Sequence, residues 1–235
     1  MPNPDLPGAL AAAVPVAAFL DRLAAALAPH GFHRDSSLVA LSTCRDELAQ
    51  PLAGRISDRW GPVFALGGLG GLPPAGGTMW AACLGHVPDT QRGRLLAIGL
   101  THIGLGADGS AGTYHRPWMT DAAPTCAALS TVVGSWEEPV PQGCPEDREV
   151  HDLRAALHDV GPRPEHMVEA TVAAAEAVRR RMVAGISGQA PWDRMDVAVV
   201  AGVQVHTPEG VGTGDRIVAT AAGLLDARGL HAVEL

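Results

Sequence analysis

Three stretches of this chain are apolar over the length of a strand: SLVALST, RLLAIGLTHIG and DVAVVAGVQVHT. Segments with helical spacing stand between them. That alternation constrains the fold more than any other feature. It predicts an α/β chain with a mostly parallel central sheet flanked by helices. PVFALGG adds a short strand, and HAVEL near the C-terminus reads as an edge strand. ELAQPLAGRISDRWG reads as a helix with Leu48, Leu52 and Ile56 on one face and Gly61 at its end, regular only from Pro51 onward. TMWAACLGH reads as a helix capped by Thr78, and TCAALSTVVGSW as one beginning near Thr125. EDREVHDLRAALHDVG and PEHMVEATVAAAEAVRRRMVAG are two further helices. The second is expected to start at Pro164 and Glu165 and to end at Arg179 to Arg181. LGGLPPAGG is a loop by composition, and Asp108-Gly109 centres a turn. Residues 15–27 place Phe and Leu on one helical face. The expected organisation is one domain over 1–235, with a helical segment at 1–35 and an α/β core at 36–235.

Composition excludes several functions. A hydrophobic fraction of 47% and a charged fraction of 18% describe a folded chain. The net charge of -8, without a long basic run, argues against nucleic acid or an anionic membrane as partner. No apolar run is long enough to cross a bilayer, and the N-terminal stretch lacks the basic region of a signal peptide. A cytoplasmic location is therefore expected. The four cysteines, at 44, 83, 126 and 144, form no CxxC pair. In a reducing compartment they read as buried, metal-bound or catalytic thiols rather than two disulfides.

Ligands of such sheets bind beyond the carboxyl ends of the strands. Cys44 ends one predicted strand, His102 stands near the end of another, and Cys126 opens a helix after a loop. The three can converge at one sheet edge. Two thiolates and an imidazole make three zinc ligands, with a fourth position for water or a carboxylate. Spacing alone is met equally by two buried thiols and a strand-end histidine. The GGLGGLPPAGG loop is no dinucleotide fingerprint, because Pro73 replaces its last glycine. Gln50 replaces the arginine that a phosphatase loop starting at Cys44 requires. Cys83 reads as a small buried apolar residue and Cys144 as a loop thiol. Glu47 reads as a helix-start residue, His206 as strand-end packing, and the arginine run as a solvated helix end.

STCRDEL, ALGGLGG, THIGLGADGSAG, RPWM, TCAAL and AGVQVHT, in this order, resemble the LCIB family, the limiting-CO2-inducible proteins related to β-class carbonic anhydrases. The resemblance runs from about Val39 to beyond His206. It implies a β-carbonic-anhydrase-like fold, a homodimer, and one Zn2+ per subunit held by Cys44, His102 and Cys126. It implies that Asp46 is a mobile fourth ligand. Closed, its carboxylate sits on the zinc; open, it pairs with an arginine and water takes its place. Leu48 stands where the usual β-class C-x-D-x-R pattern has that arginine. Arg45 is the favoured partner instead, with Arg116 of RPWM as the second candidate. The activity implied is reversible hydration of CO2 to bicarbonate by zinc-bound hydroxide, zinc lowering the pKa of its water to about 7. His86, His115 and His206 are candidates to pass the proton. Two positions depart from the family pattern, both in place of glycine. Trp118 is expected to fill the pocket or to pack under a loop, and Ala127 follows the second cysteine. The alternative is a catalytically silent zinc protein of this family that binds bicarbonate or a partner.

Overall fold

The computed structural model describes residues 6, 8–89, 92–138, 147–210 and 214–235, so the expected loop thiol Cys144 lies outside the described residues. In chain order the elements are β1 (Val14–Pro15), α1 (Val16–Leu27), β2 (Ser37–Thr43), α2 (Pro51–Trp60), β3 (Val63–Ala65), α3 (Gly77–Leu84) and β4 (Gly93–Gly104). They continue with β5 (Thr113–Tyr114), β6 (Ala123–Pro124), α4 (Ala127–Gly134), α5 (Arg148–Val160), α6 (Met167–Ser187), β7 (Met195–His206), β8 (Arg216–Asp226) and β9 (Gly229–Ala232).

The main sheet runs β1-β8-β7-β4-β2-β3, with β9 also paired to β8. β3, β2, β4 and β7 are mutually parallel. β8 returns antiparallel to β7, and β1 and β9 are antiparallel to β8. The apolar runs explain the parallel half. A strand covered by helices on both faces has no solvent side, so it need not alternate. Alternate residues then go to opposite layers. Val39, Leu41, Leu96, Ile98 and Val200 pack with Phe19 and Leu23 of α1 and Leu52, Ile56 and Trp60 of α2. Leu38, Ala40, Leu95, Ala97, Val197 and Val199 pack with α4, α5 and α6 through Leu129, Leu153, Val178 and Met182. Each large apolar side chain so buried contributes about 1.5–3 kcal/mol.

Pro51 opens α2 as its fixed φ allows, and Gly61 ends that helix at φ 91. Other expectations are corrected. α3 starts at Gly77 behind Gly76, so Thr78 is not its cap. α4 begins at Ala127, with Cys126 as the residue before it. α6 starts at Met167 rather than Pro164 and runs past Arg181 to Ser187, because Met182 and Ile186 still face the core. HAVEL contributes only its first two residues to β9. The strand β8 has no counterpart in the sequence reading. Its run RIVATAAGLLD is rich in alanine and half exposed, so its strand character comes from pairing with β7 rather than from side-chain pattern. No helix among the described residues is long and apolar enough to cross a membrane.

Ile98 is fully buried in the middle of β4. Replacing it with alanine removes several methyl-sized groups from a close-packed layer and is expected to cost about 2–5 kcal/mol. The shift in urea midpoint of Ile98→Ala measures this; a change below about 1 kcal/mol contradicts the packing described.

Candidate metal centre

β2 and β4 are adjacent and in register, Thr43 opposite Leu100. The residue after β2, Cys44, therefore arrives one step beyond the Thr43–Leu100 pair, beside the end of β4 that carries His102. Two glycines let the following loop close over these strand ends. Gly71 has φ 81, and a Cβ there would lie 2.5 Å from the Leu100 carbonyl oxygen. A Cβ on Gly67 would collide with the carbonyl of Thr43. The third residue, Cys126, precedes α4 in extended conformation (φ -114, ψ 96), which turns its side chain back toward the sheet edge.

The sulfurs of Cys44 and Cys126 and a ring nitrogen of His102 lie within 4.8 Å of one another. All three residues are buried, at 3%, 2% and 1% exposure. A tetrahedral ion with bonds of about 2.0–2.3 Å holds its donors roughly 3.5–4 Å apart, so the cluster is nearly the right size. The neighbouring Cys126 thiol, and then the nearby His102 ring, lower the pKa of Cys44 against the cost of burial. Cys126 is pushed up, chiefly by its bond to Cys44 and by burial. The opposite shifts are those of one thiol donating to the other, and a bound cation would take both sulfurs as thiolates. Cys83 differs. Burial alone pushes its thiol up to about 12, which keeps it protonated and inert, as the sequence predicts.

His102 has a well-defined neighbourhood. Its Nδ1 lies 3.2 Å from Nε2 of His206. Its Nε2 is buried and has no hydrogen-bond partner among the described residues. A buried polar atom left unpaired is costly unless something outside the protein completes it. An orphan imidazole nitrogen beside two thiols is the arrangement a thiophilic cation would satisfy, so the residues present fit such an ion.

Asp46 and Glu47 meet Arg116, which the loop after β5 carries inward to 7% exposure. Nη2 of Arg116 donates to Oδ1 and Oδ2 of Asp46 at 3.3 and 3.1 Å. Its Nε donates to Oε1 of Glu47, its Nη1 to the Pro124 carbonyl at 3.3 Å, and Nη2 also reaches the Thr125 carbonyl at 3.4 Å. The Leu48 N–H also donates to Asp46 Oδ1, at 3.1 Å. Burial nevertheless raises the pKa of Asp46, outweighing the Leu48 and Arg116 contacts. Burial also works against the Glu47 carboxylate, but its hydrogen bond from Arg116 prevails and the pKa is lowered.

Three expectations are corrected here. Arg45 does not pair with Asp46. It points to the surface, donates to the Gly67 carbonyl at 3.3 Å and pairs with Glu149 at 3.1 Å. Adjacent residues on a turn diverge, whereas the distant Arg116 approaches Asp46 from above. Glu47 does not start α2, which begins four residues later; it is a partner of Arg116. Of the other named residues, His86 is exposed and bonded to the Ala82 carbonyl, and His115 is exposed. Trp118 is 68% exposed and so neither fills a pocket nor packs under a loop. Ala127 is the first residue of α4. His206 is a strand-end residue as expected, but it also bonds His102 and, through Nδ1, Asp215 Oδ1 at 3.0 Å. Sequence reasoning missed Gln204 and Asp215. The available signal was two polar residues, Gln204 and His206, spaced by two on a strand otherwise without a polar side chain after Asp196.

The family model of limiting CO2-inducible proteins B/C beta carbonic anhydrases matches residues 13–221. The crystal structure of PtLCIB4, a homolog of the limiting CO2-inducible protein LCIB, is similar over 95% of both chains at 25% identity and TM-score 0.79. The crystal structure of limiting CO2-inducible protein LCIB itself covers 96% of both chains at 20% identity and TM-score 0.76, which supports the fold. No curated protein sequence matches.

Removing any one of the three donors is expected to abolish stoichiometric metal. Metal analysis of Cys44→Ser, His102→Ala and Cys126→Ser should show at least a tenfold drop in occupancy, on the order seen when a ligand is lost. Cys83→Ala should retain the full complement. Unchanged metal in the first three variants would sink the ligand set.

Proposed function

Because the chain belongs to the family of limiting CO2-inducible proteins B/C β-carbonic anhydrases, we propose that it is a zinc-dependent carbonic anhydrase interconverting CO2 and bicarbonate. The observation that carries this reading is the buried cluster of Cys44, His102 and Cys126 beside a carboxylate, Asp46, that is drawn away to Arg116. Two sulfurs and one imidazole nitrogen form a donor set suited to zinc, with a fourth position left over. Zinc, when bound, supplies the Lewis acidity that makes water nucleophilic near neutral pH.

The chain's own residues supply the rest. Arg116 contacts both oxygens of Asp46, so that carboxylate is satisfied without serving as a ligand. Glu47 and the Pro124 and Thr125 carbonyls hold Arg116 in place from the other side. Asp46 is thereby the mobile group and Arg116 its resting place. CO2 is small and uncharged, so it needs positioning more than recognition. The two thiols belong to the same apolar cluster as Ala49, Leu66 and Leu72, which provides a dry wall beside the donors. Backbone support also reaches the donors: the Ser130 N–H donates to the Cys126 carbonyl at 3.1 Å, fixing the start of α4.

Stopped-flow CO2 hydration by the zinc-loaded protein tests the proposal. Hydration above the buffer rate is expected, and its loss on chelation. Arg116→Met should keep its zinc and lose at least about tenfold in kcat/KM, since a charge-assisted contact is worth ~1.5–3 kcal/mol. Stoichiometric zinc with no hydration up to a pH of about 9 overturns the enzyme and leaves a silent zinc protein that binds bicarbonate or a partner.

A further inference from the structure

His102 and His206 occupy one face of the sheet for a reason set by register. In the β4–β7 ladder His102 lies opposite Gln204, and Gly104 lies opposite His206. Residues two apart on a strand share a face. The two imidazoles meet edge to face across neighbouring strands, with centroids 5.4 Å apart and planes at 81°, while the missing side chain of Gly104 leaves room for Thr125 and Tyr114 to close in beside them. Tyr114 closes the edge of His206 at 6.2 Å, its hydroxyl donating to the Thr207 carbonyl. β8 begins beside the end of β7, which brings Asp215 level with His206. Both are buried, at 0% and 3% exposure.

With both imidazoles neutral and Asp215 ionised, the hydrogen bonds have one consistent assignment. Gln204 Nε2 donates to Asp215 Oδ2 at 2.9 Å, so Asp215 accepts there. Its other oxygen lies 3.0 Å from His206 Nδ1, which must be the donor. A neutral His206 with its proton on Nδ1 has a bare Nε2. That atom lies 3.2 Å from His102 Nδ1 and can only accept. His102 therefore carries its proton on Nδ1, and its Nε2 lone pair faces out of the chain of bonds with no hydrogen-bond partner among the described residues. The alternative tautomer would place two bare nitrogens against each other at 3.2 Å and put a proton on the nitrogen beside the thiols.

We propose that the buried Gln204–Asp215–His206 chain is a positioning device that locks His102 as the Nδ1–H tautomer and presents Nε2 to the metal. The residues act through His102 rather than on substrate. The role in metal binding rests on the metal-centre reading; the tautomer itself does not. Partners of this kind orient a ligand ring and raise its basicity, and their loss costs about 10–100-fold in metal affinity.

The test uses the full chain, first without metal. Long-range 1H–15N correlation of the histidine rings shows which nitrogen of His102 is protonated. The expected result is Nδ1–H with bare Nε2. His206→Gln keeps the lock, because its amide oxygen can accept from His102 while its amide N–H donates to Asp215. His206→Leu keeps the volume and removes the acceptor. The first variant should retain the His102 tautomer and stay within about threefold of wild-type zinc affinity in chelator competition. The second should lose the single tautomer and weaken zinc about 10–100-fold. A metal-free wild type with its His102 proton on Nε2 overturns the proposal whether or not the chain binds zinc. Equal zinc affinity in wild type and His206→Leu also overturns it. Should His206→Leu fail to fold, the wild-type spectrum and the His206→Gln affinity still decide. Zinc retained by Cys44→Ser sinks the metal-centre reading alone and leaves the tautomer result standing.

Discussion

β4 and β7 are paired along their whole length, from Gly93 with Met195 to Gly104 with His206, and most of what matters in this molecule hangs on that ladder. It is buried on both faces, so its register is fixed by two apolar layers at once. A slip of one residue would exchange the layers and expose Leu96, Ile98 and Val200 to the wrong side. The same register places His102 beside Gln204 and Gly104 beside His206. The stability of the core and the geometry of the candidate metal centre are therefore one constraint rather than two.

Around that ladder the site is assembled from segments far apart in sequence. β2 delivers Cys44, the start of α4 delivers Cys126, and the loop after β5 delivers Arg116. Arg116 is the connector. It is buried, it meets two adjacent carboxylates, and it ties the Asp46 turn to the strand that leads into Cys126. The contrast with Arg45 is one of environment. Arg45 and Glu149 are largely exposed, at 63% and 46%, so their attraction is screened and worth little. The Arg116–Asp46 pair is at 8% and 16%, where a broken contact leaves a charge poorly solvated.

The legible parts of the fold were those with a local cause. Apolar runs announced β2, β4 and β7. Proline and glycine announced the limits of α2. The ends of α6 were misplaced because burial of Met182 and Ile186, not the arginine run, decides how far the helix goes. β8 was invisible because its alanine-rich run becomes a strand only when β7 supplies a partner edge. At the site, the three candidate donors were legible from the order of the motifs that resemble the LCIB family, since their places at strand ends fit two buried thiols and a histidine equally well. The partner of Asp46 was not, since sequence proximity favours Arg45 and only the folded chain brings Arg116 within reach.

By itself, the sequence determined an α/β architecture, the identity of two thiols and one imidazole as candidate donors, and a carboxylate two residues after the first thiol. The architecture follows from local periodicity, a property of short windows; the candidate donors follow from side-chain chemistry together with the order of motifs that resembles the LCIB family. Tertiary structure alone decided which arginine holds Asp46, that Glu47 joins it rather than starting a helix, and that His206 and Asp215 stand behind His102. Those facts depend on strand register and loop closure across tens to more than a hundred residues. No short window of sequence contains the distances that hydrogen bonds and ion pairs require.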